Sequence, residues 1–214
     1  EGANFWLLST SLYLFSFSPP LFWRMRGRFA PPFSLFLNYG PPAPSQSPAS
    51  STIYVASGKQ AAIAAAKLAR SNNTKIALSF SDPGIIEYFH AGVLDIMGGK
   101  IALAFCNRDE ALSFAKTEDL DQAIAVLHDH CDEFVITLGA EGALVYDGET
   151  MHAIDGVKVE AIDTNGAGDM FAGAFLYGIS HGMTHAQAGK FASLAAKYAN
   201  LAAKFKLEGF NLKR

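Results

Sequence analysis

The chain has 214 residues, half of them hydrophobic, and a formal net charge of −3 at pH 7. That is enough apolar material for one packed domain, or for one domain with an appendage, and the slight acidity argues against the basic stripe of a nucleic-acid-binding surface. Two cysteines, Cys106 and Cys131, stand in apolar or helical contexts without metal-ligand spacing, so buried reduced thiols in a cytosolic protein are the default.

Residues 1–50 differ from the rest in composition. They hold both tryptophans, most of the prolines and a dense scatter of Phe, Leu and Ser, with neither helical nor alternating periodicity sustained. The uncharged run Phe5 to Trp23 is about long enough to cross a bilayer, yet it contains Pro19-Pro20 and several hydroxyl residues. A secretory leader would carry a basic stretch ahead of its apolar core, whereas Arg24, Arg26 and Arg28 follow it here. A poorly ordered or adventitious segment is therefore favoured over a membrane anchor, with the domain boundary near residue 50.

From Thr52 the pattern becomes a regular alternation of short apolar runs and amphipathic stretches. Thr52 to Ala56 reads as a strand, Lys59 to Ser71 as an Ala-rich helix, Lys75 to Phe80 as a strand and Pro83 to Met97 as a helix. Alternation of this kind implies βαβ units and a parallel sheet covered by helices on both faces. Ser81-Asp82-Pro83 closes a strand at its carboxyl edge, where open α/β sheets place ligands, although Asp82 also suits a turn or helix cap. Lys100 to Phe105 is a further strand, and Asn107 with Glu110 opens the next helix, Arg108 to Lys116, as an N-cap and its capping-box partner. The sequon Asn72-Asn73-Thr74 matters only in a secreted chain and is read as coincidence.

A helix from Asp119 to His130 leads to the strand Phe134 to Leu138, which stops at Gly139-Ala140-Glu141-Gly142. On its own a Gly-x-x-Gly turn serves equally well as a hairpin connection into Ala143 to Tyr146. Tyr146-Asp147-Gly148-Glu149 turns the chain again, and short strands within Met151 to Ile162 follow; tight turns between strands predict an antiparallel edge to the sheet. The six histidines share no metal spacing, and His128 and His130 are read as solvated helix residues. At the end, His185 to Lys204 forms an Ala-rich helix apolar on more than one face, which predicts burial between neighbours.

The stretch around which the chain is organised is Asp163-Thr164-Asn165-Gly166-Ala167-Gly168-Asp169. Strand-like residues precede it, from Val157 to Ile162, and Phe171, Ala174, Phe175, Gly178 and Ile179 follow at helical spacing, so the glycines sit where a strand becomes a helix. Backbone amides at such a junction, reinforced by the helix dipole, make an anion site. Asp169 in the first turn either complements the helix terminus or acts as a base beside the bound anion. The motif is neither a dinucleotide-binding fingerprint nor a Walker A loop, since Phe171 stands where the former has Gly or Ala and no Lys-Ser/Thr pair follows.

Asp163-Thr164-x-Gly166-Ala167-Gly168-Asp169 followed by a Phe-x-x-Gly helix closely resembles the C-terminal motif of the ribokinase-like carbohydrate and nucleoside kinases, also called the phosphofructokinase B family. The resemblance covers roughly three quarters of the chain, from about Thr52 onward, and the family's first strands, β lid and Gly-Gly substrate motif are missing from what precedes it. It implies a three-layer α/β/α core with a mostly parallel sheet, lacking the N-terminal strands and lid. It implies ATP and Mg²⁺ as cofactors, leaves a monovalent cation open, and implies a sugar or nucleoside as partner, with neither nucleic acid nor membrane, and a homodimer for a complete chain. Asp169 would be the catalytic base, with the amides of Gly166, Ala167 and Gly168 on the transferring group. Asn107, Thr137, Gly139, Glu141, Gly142, Asp163, Asn165 and Ser193 would face the nucleotide, and Glu110 the metal. Ser81-Asp82-Pro83 and Phe105-Cys106-Asn107 look closest to the adenosine-kinase-like branch. The implied reaction is phosphoryl transfer from ATP to a hydroxymethyl group. Two rivals are a nucleotide-binding remnant without activity and a membrane-tethered or interaction protein working through residues 1–50.

Overall fold

The computed structural model describes residues 5–9, 14–17, 48–80, 82–157 and 166–207, with side chains described within 58–80, 82–157 and 166–198. Ser81, Asp163 and Asn165, and most of the strand expected to end at Ile162, lie outside the described residues. One sheet runs β2-β1-β3-β4-β5-β6-β7. Its strands are β1 (Phe5–Ser9), β2 (Leu14–Phe17), β3 (Lys75–Ser79), β4 (Ile101–Asn107), β5 (Cys131–Thr137), β6 (Gly142–Tyr146) and β7 (Met151–Asp155). Helices α1 (Pro48–Ser71), α2 (Pro83–Met97), α3 (Arg108–Ala115), α4 (Leu120–His130), α5 (Ala167–Ser180) and α6 (His185–Leu207) join and cover them.

The centre of the sheet, β1-β3-β4-β5, is parallel, and both edges are antiparallel. The antiparallel edge expected after Gly142 is present as β5-β6-β7. Side chains alternate across the central strands. Ile76, Leu78, Ala104, Cys106, Phe134 and Ile136 face a core shared with α1 to α4, while Ala77, Leu103, Phe105 and Val135 face one shared with α5 and α6. A period of two with both faces apolar is what a strand between two helical layers requires, and the result is the expected α/β/α sandwich.

Helix limits follow their caps. Asp82 accepts from the Ile85 amide at 3.0 Å with Pro83 in the first turn, and Asp119 accepts from the Asp121 amide at 2.8 Å. Both thiols are free and buried, as expected.

Several expectations are corrected. Thr52 to Ala56 is helical, an uninterrupted part of α1, because Pro48 at the helix start and the Ala-rich run beyond Gly58 override the β preference of five residues. Within residues 1–50, Phe5–Ser9 and Leu14–Phe17 form β1 and β2 of the sheet. No helix among the described residues is long and apolar enough to cross a membrane. His128 and His130 are half-buried: His128 sits edge-on to Phe134 and Tyr146, and His130 edge-on to Phe114. The second apolar face of α6 is exposed at Leu194 and Tyr198, because α6 packs on α5, β6 and β7 through the face that carries His185, Ala188, Gly189 and Ala192.

Candidate functional site

The carboxyl ends of β3, β4 and β5 lie along one edge, so Asp82, Asn107 and the turn after Thr137 share it. β7 runs antiparallel to β6 with Asp155 opposite Gly142, and therefore delivers the chain to the same edge before α5 begins.

At β4 the chain passes straight from strand to helix through a capping box. The Asn107 side chain accepts from the Glu110 amide at 2.8 Å, while Glu110 accepts from the Asn107 amide at 2.9 Å and from Asn107 Nδ2 at 2.9 Å. Glu110 is only 6% exposed and is the one charged residue among the described ones to be buried. Burial raises its carboxyl above the ordinary value, and the nearby charges of Asp82, Asp109 and Asp169 push the same way, opposed by the Asn107 amide.

Helix α5 is anchored to the sheet by Phe171 and Phe175, the latter edge-on to Phe105 with centroids 5.7 Å apart. Its N-cap is Gly166 at φ 81°, ψ −2°, left-handed backbone that favours glycine, and no side chain caps the terminus. The amides of Gly166, Ala167 and Gly168 have no acceptor among the described residues, as expected of a helix start awaiting a partner. Asp169 is exposed, forms neither ion pair nor side-chain hydrogen bond among the described residues, and lines an open cleft of about 510 Å³ with Gly166, Met170, Gly173, Tyr177, Phe191 and others.

The turn after β5 is one turn of 3₁₀ helix, Gly139–Glu141, entered by Gly139 at φ 60° and left by Gly142 at φ 105°. A side chain at Gly142 would collide with the Ile154 carbonyl, so this position must be bare. Thr137 donates to the Cys106 carbonyl at 3.4 Å. Arg108 Nη2 donates to Glu141 at 2.8 Å, bridging the turn to α3.

Of the residues singled out in the sequence, Asn107 and Glu110 are bonded to each other, Thr137, Gly139, Glu141 and Gly142 lie on the same edge, and Asp169 lines the cleft beside α5. Ser193 is half-buried on α6 and does not line the cleft. Sequence reasoning missed Arg108 and the apolar wall made by Met170, Tyr177 and Phe191. The first pairs across 33 positions and leaves no local trace. The second was legible as apolar residues on a second face of each helix. No group of three His, Cys, Asp or Glu side chains among the described residues is arranged to hold a metal by itself.

Residues 46–201 match the family described as pfkB family carbohydrate kinase. The chain is 34% identical over 119 residues to a cytidine kinase of Thermococcus kodakarensis, covering 54% of this chain and 43% of that protein. It is 32% identical over 138 residues to a ribokinase of Haemophilus influenzae, covering 62% and 43% respectively. Among solved structures, an adenosine kinase from Sinorhizobium meliloti superposes with a TM-score of 0.63 at 29% identity, over 71% of this chain and 50% of that one. A probable sugar kinase from Rhizobium etli superposes with a TM-score of 0.61 at 31% identity, over 65% and 43%. The chain spans about half or less of the length of each of these proteins.

Proposed function

This chain belongs to the pfkB family of carbohydrate kinases, and from that premise we propose that it is an ATP-dependent phosphotransferase acting on a hydroxymethyl group of a sugar or nucleoside, with adenosine-like nucleosides the first candidates. One observation carries the reading: an unpaired carboxylate, Asp169, stands one helical turn from a left-handed Gly166 whose neighbouring amides lack acceptors among the described residues, at the mouth of a cleft.

Asp169 takes the proton of the substrate hydroxyl as its oxygen attacks the terminal phosphorus of ATP. The new O–P bond forms as the bond to the bridging oxygen breaks, ADP leaves, and the proton stays on Asp169. The amides of Gly166, Ala167 and Gly168 stabilise the charge that builds on the transferring group, in fixed positions that need no rearrangement. Gly139 and Gly142 let the turn after Thr137 bring main chain close to the nucleotide. The site is cytoplasmic in this reading.

The donor set fits Mg²⁺. Glu110 is a buried carboxylate whose carboxyl is raised by burial first and by the charges of Asp82, Asp109 and Asp169 after it, and Mg²⁺ in phosphoryl-transfer sites takes one or two protein carboxylates with phosphate oxygens and water. Glu110 would hold it through the lone pairs left beside its two bonds to Asn107. When bound, the ion neutralises charge on the phosphates.

The alternative reading is a chain that binds nucleotide and transfers nothing. ATP affinity and product formation measured on one sample, against a panel of nucleosides and sugars with Mg²⁺, separate the two. Binding with turnover supports the kinase, binding without turnover supports the alternative, and no binding rejects both.

A further inference from the structure

The proposed reaction leaves one ion pair at this edge without a role. Arg108 is the first residue of α3, next to Asn107, and its Nη2 reaches Glu141 of the β5–β6 turn at 2.8 Å. Both side chains are well exposed, 42% and 66%, so the pair adds little stability and exchanges easily. It is also incomplete. A guanidinium is a planar fork that matches two oxygens of a carboxylate or phosphate, yet only Nη2 is engaged here, and Nε is buried with no hydrogen-bond partner among the described residues. The surroundings are acidic, with the charges of Asp82, Asp109 and Asp169 all felt at Glu110, and a multiply charged anion entering there requires a cation within reach. Arg108 is the basic side chain attached directly to the capping box.

We propose that Arg108 is a polyphosphate-binding residue of this site, held on Glu141 until a nucleoside triphosphate arrives and then turned, Nε included, onto its phosphate oxygens. Glu141 is its competitor: the carboxylate keeps the fork near the edge and gives it up to the more highly charged ligand. Lysine would serve poorly in this place, since it offers a point charge and no fork. The inference rests on the kinase reading and names a residue of the same site.

Calorimetric titration of the wild type, Arg108→Ala, Arg108→Lys and Glu141→Gln with ATP, ADP and AMP, at fixed Mg²⁺ and ionic strength, tests it. Arg108→Ala should weaken ATP binding by roughly 10- to 100-fold and ADP binding by less, with AMP nearly unaffected. Arg108→Lys should fall between, and Glu141→Gln should bind ATP about two- to threefold more tightly because the competitor is gone. If Arg108→Ala binds ATP like the wild type, or if Arg108→Ala and Glu141→Gln weaken ATP and AMP by the same factor, the pair is a brace and the assignment is wrong. A wild type that binds none of the three nucleotides overturns the kinase reading and this inference together. A wild type that binds them all with Arg108→Ala unchanged overturns this inference alone.

Discussion

Asn107 and Glu110 hold each other by three hydrogen bonds, two of which occupy the two oxygens of the Glu110 carboxylate. The same pair therefore fixes the direction in which α3 leaves β4 and keeps a buried negative charge at the carboxyl edge of the sheet. Removing the carboxylate should cost stability and site at once. Glu110→Ala is expected to lower the unfolding free energy by roughly 1–2 kcal/mol in urea, the worth of a cap and its reciprocal bond.

The pH dependence of that charge has a definite sign. Burial, then Asp82, Asp109 and Asp169, raise the Glu110 carboxyl above its ordinary value of 4.5. The folded chain thus holds this proton more tightly than the unfolded one, so its contribution to stability is complete below pH 4.5 and is lost as pH rises through the raised value. Urea midpoints of the wild type should fall across that interval relative to those of Glu110→Gln, which has nothing to titrate there. Parallel profiles would show that the charge is not felt.

Asp169→Asn separates chemistry from binding. The amide cannot accept the hydroxyl proton, so turnover should drop by about 10²- to 10⁴-fold. ATP affinity should stay level or rise slightly, since a like charge leaves the phosphate site. Equal losses in both would make Asp169 a structural residue of the α5 terminus.

Two glycines should respond differently to the same substitution. At Gly166 a methyl group meets nothing within 4 Å, so Gly166→Ala costs only the left-handed backbone, about 1–2 kcal/mol. At Gly142 the methyl would collide with the Ile154 carbonyl and crowd the Gly156 amide, so Gly142→Ala should cost several kcal/mol or prevent folding. Denaturation of both variants side by side checks the order.

Leu194 is 44% exposed beside Phe191 and Tyr198 on the outer face of α6. Leu194→Glu is expected to change stability by less than about 0.5 kcal/mol, as on any solvated helix face, and to reduce concentration-dependent association seen by light scattering. A large loss of stability would mean that this face is covered.

Elements α2 to α4 and β3 to β6 were readable because each combined an unambiguous period with local punctuation: Asp82-Pro83, Asn107 with Glu110, Asp119, and Gly139 to Gly142. Thr52 to Ala56 misled because four β-branched and aromatic residues carry less weight than the helix they adjoin. β1 and β2 escaped because a short apolar run has no period of its own, and its partner in the sheet, β3, begins 66 residues beyond the end of β1, at Lys75. In the site, Asp169 and the capping box were legible through spacing within one turn, whereas the reach of Arg108 to Glu141 depends on how two elements meet in space.

The wall between Thr137 and Gly142 is built from main chain, closed by the Leu138 amide on the Gly142 carbonyl at 2.8 Å. A boundary of that sort is indifferent to most changes of residue identity and sensitive to changes of length. Variants of this chain should accordingly fold with many alternatives at Ala140 and Glu141, while a single inserted or deleted residue there would break the closing bond and displace the turn.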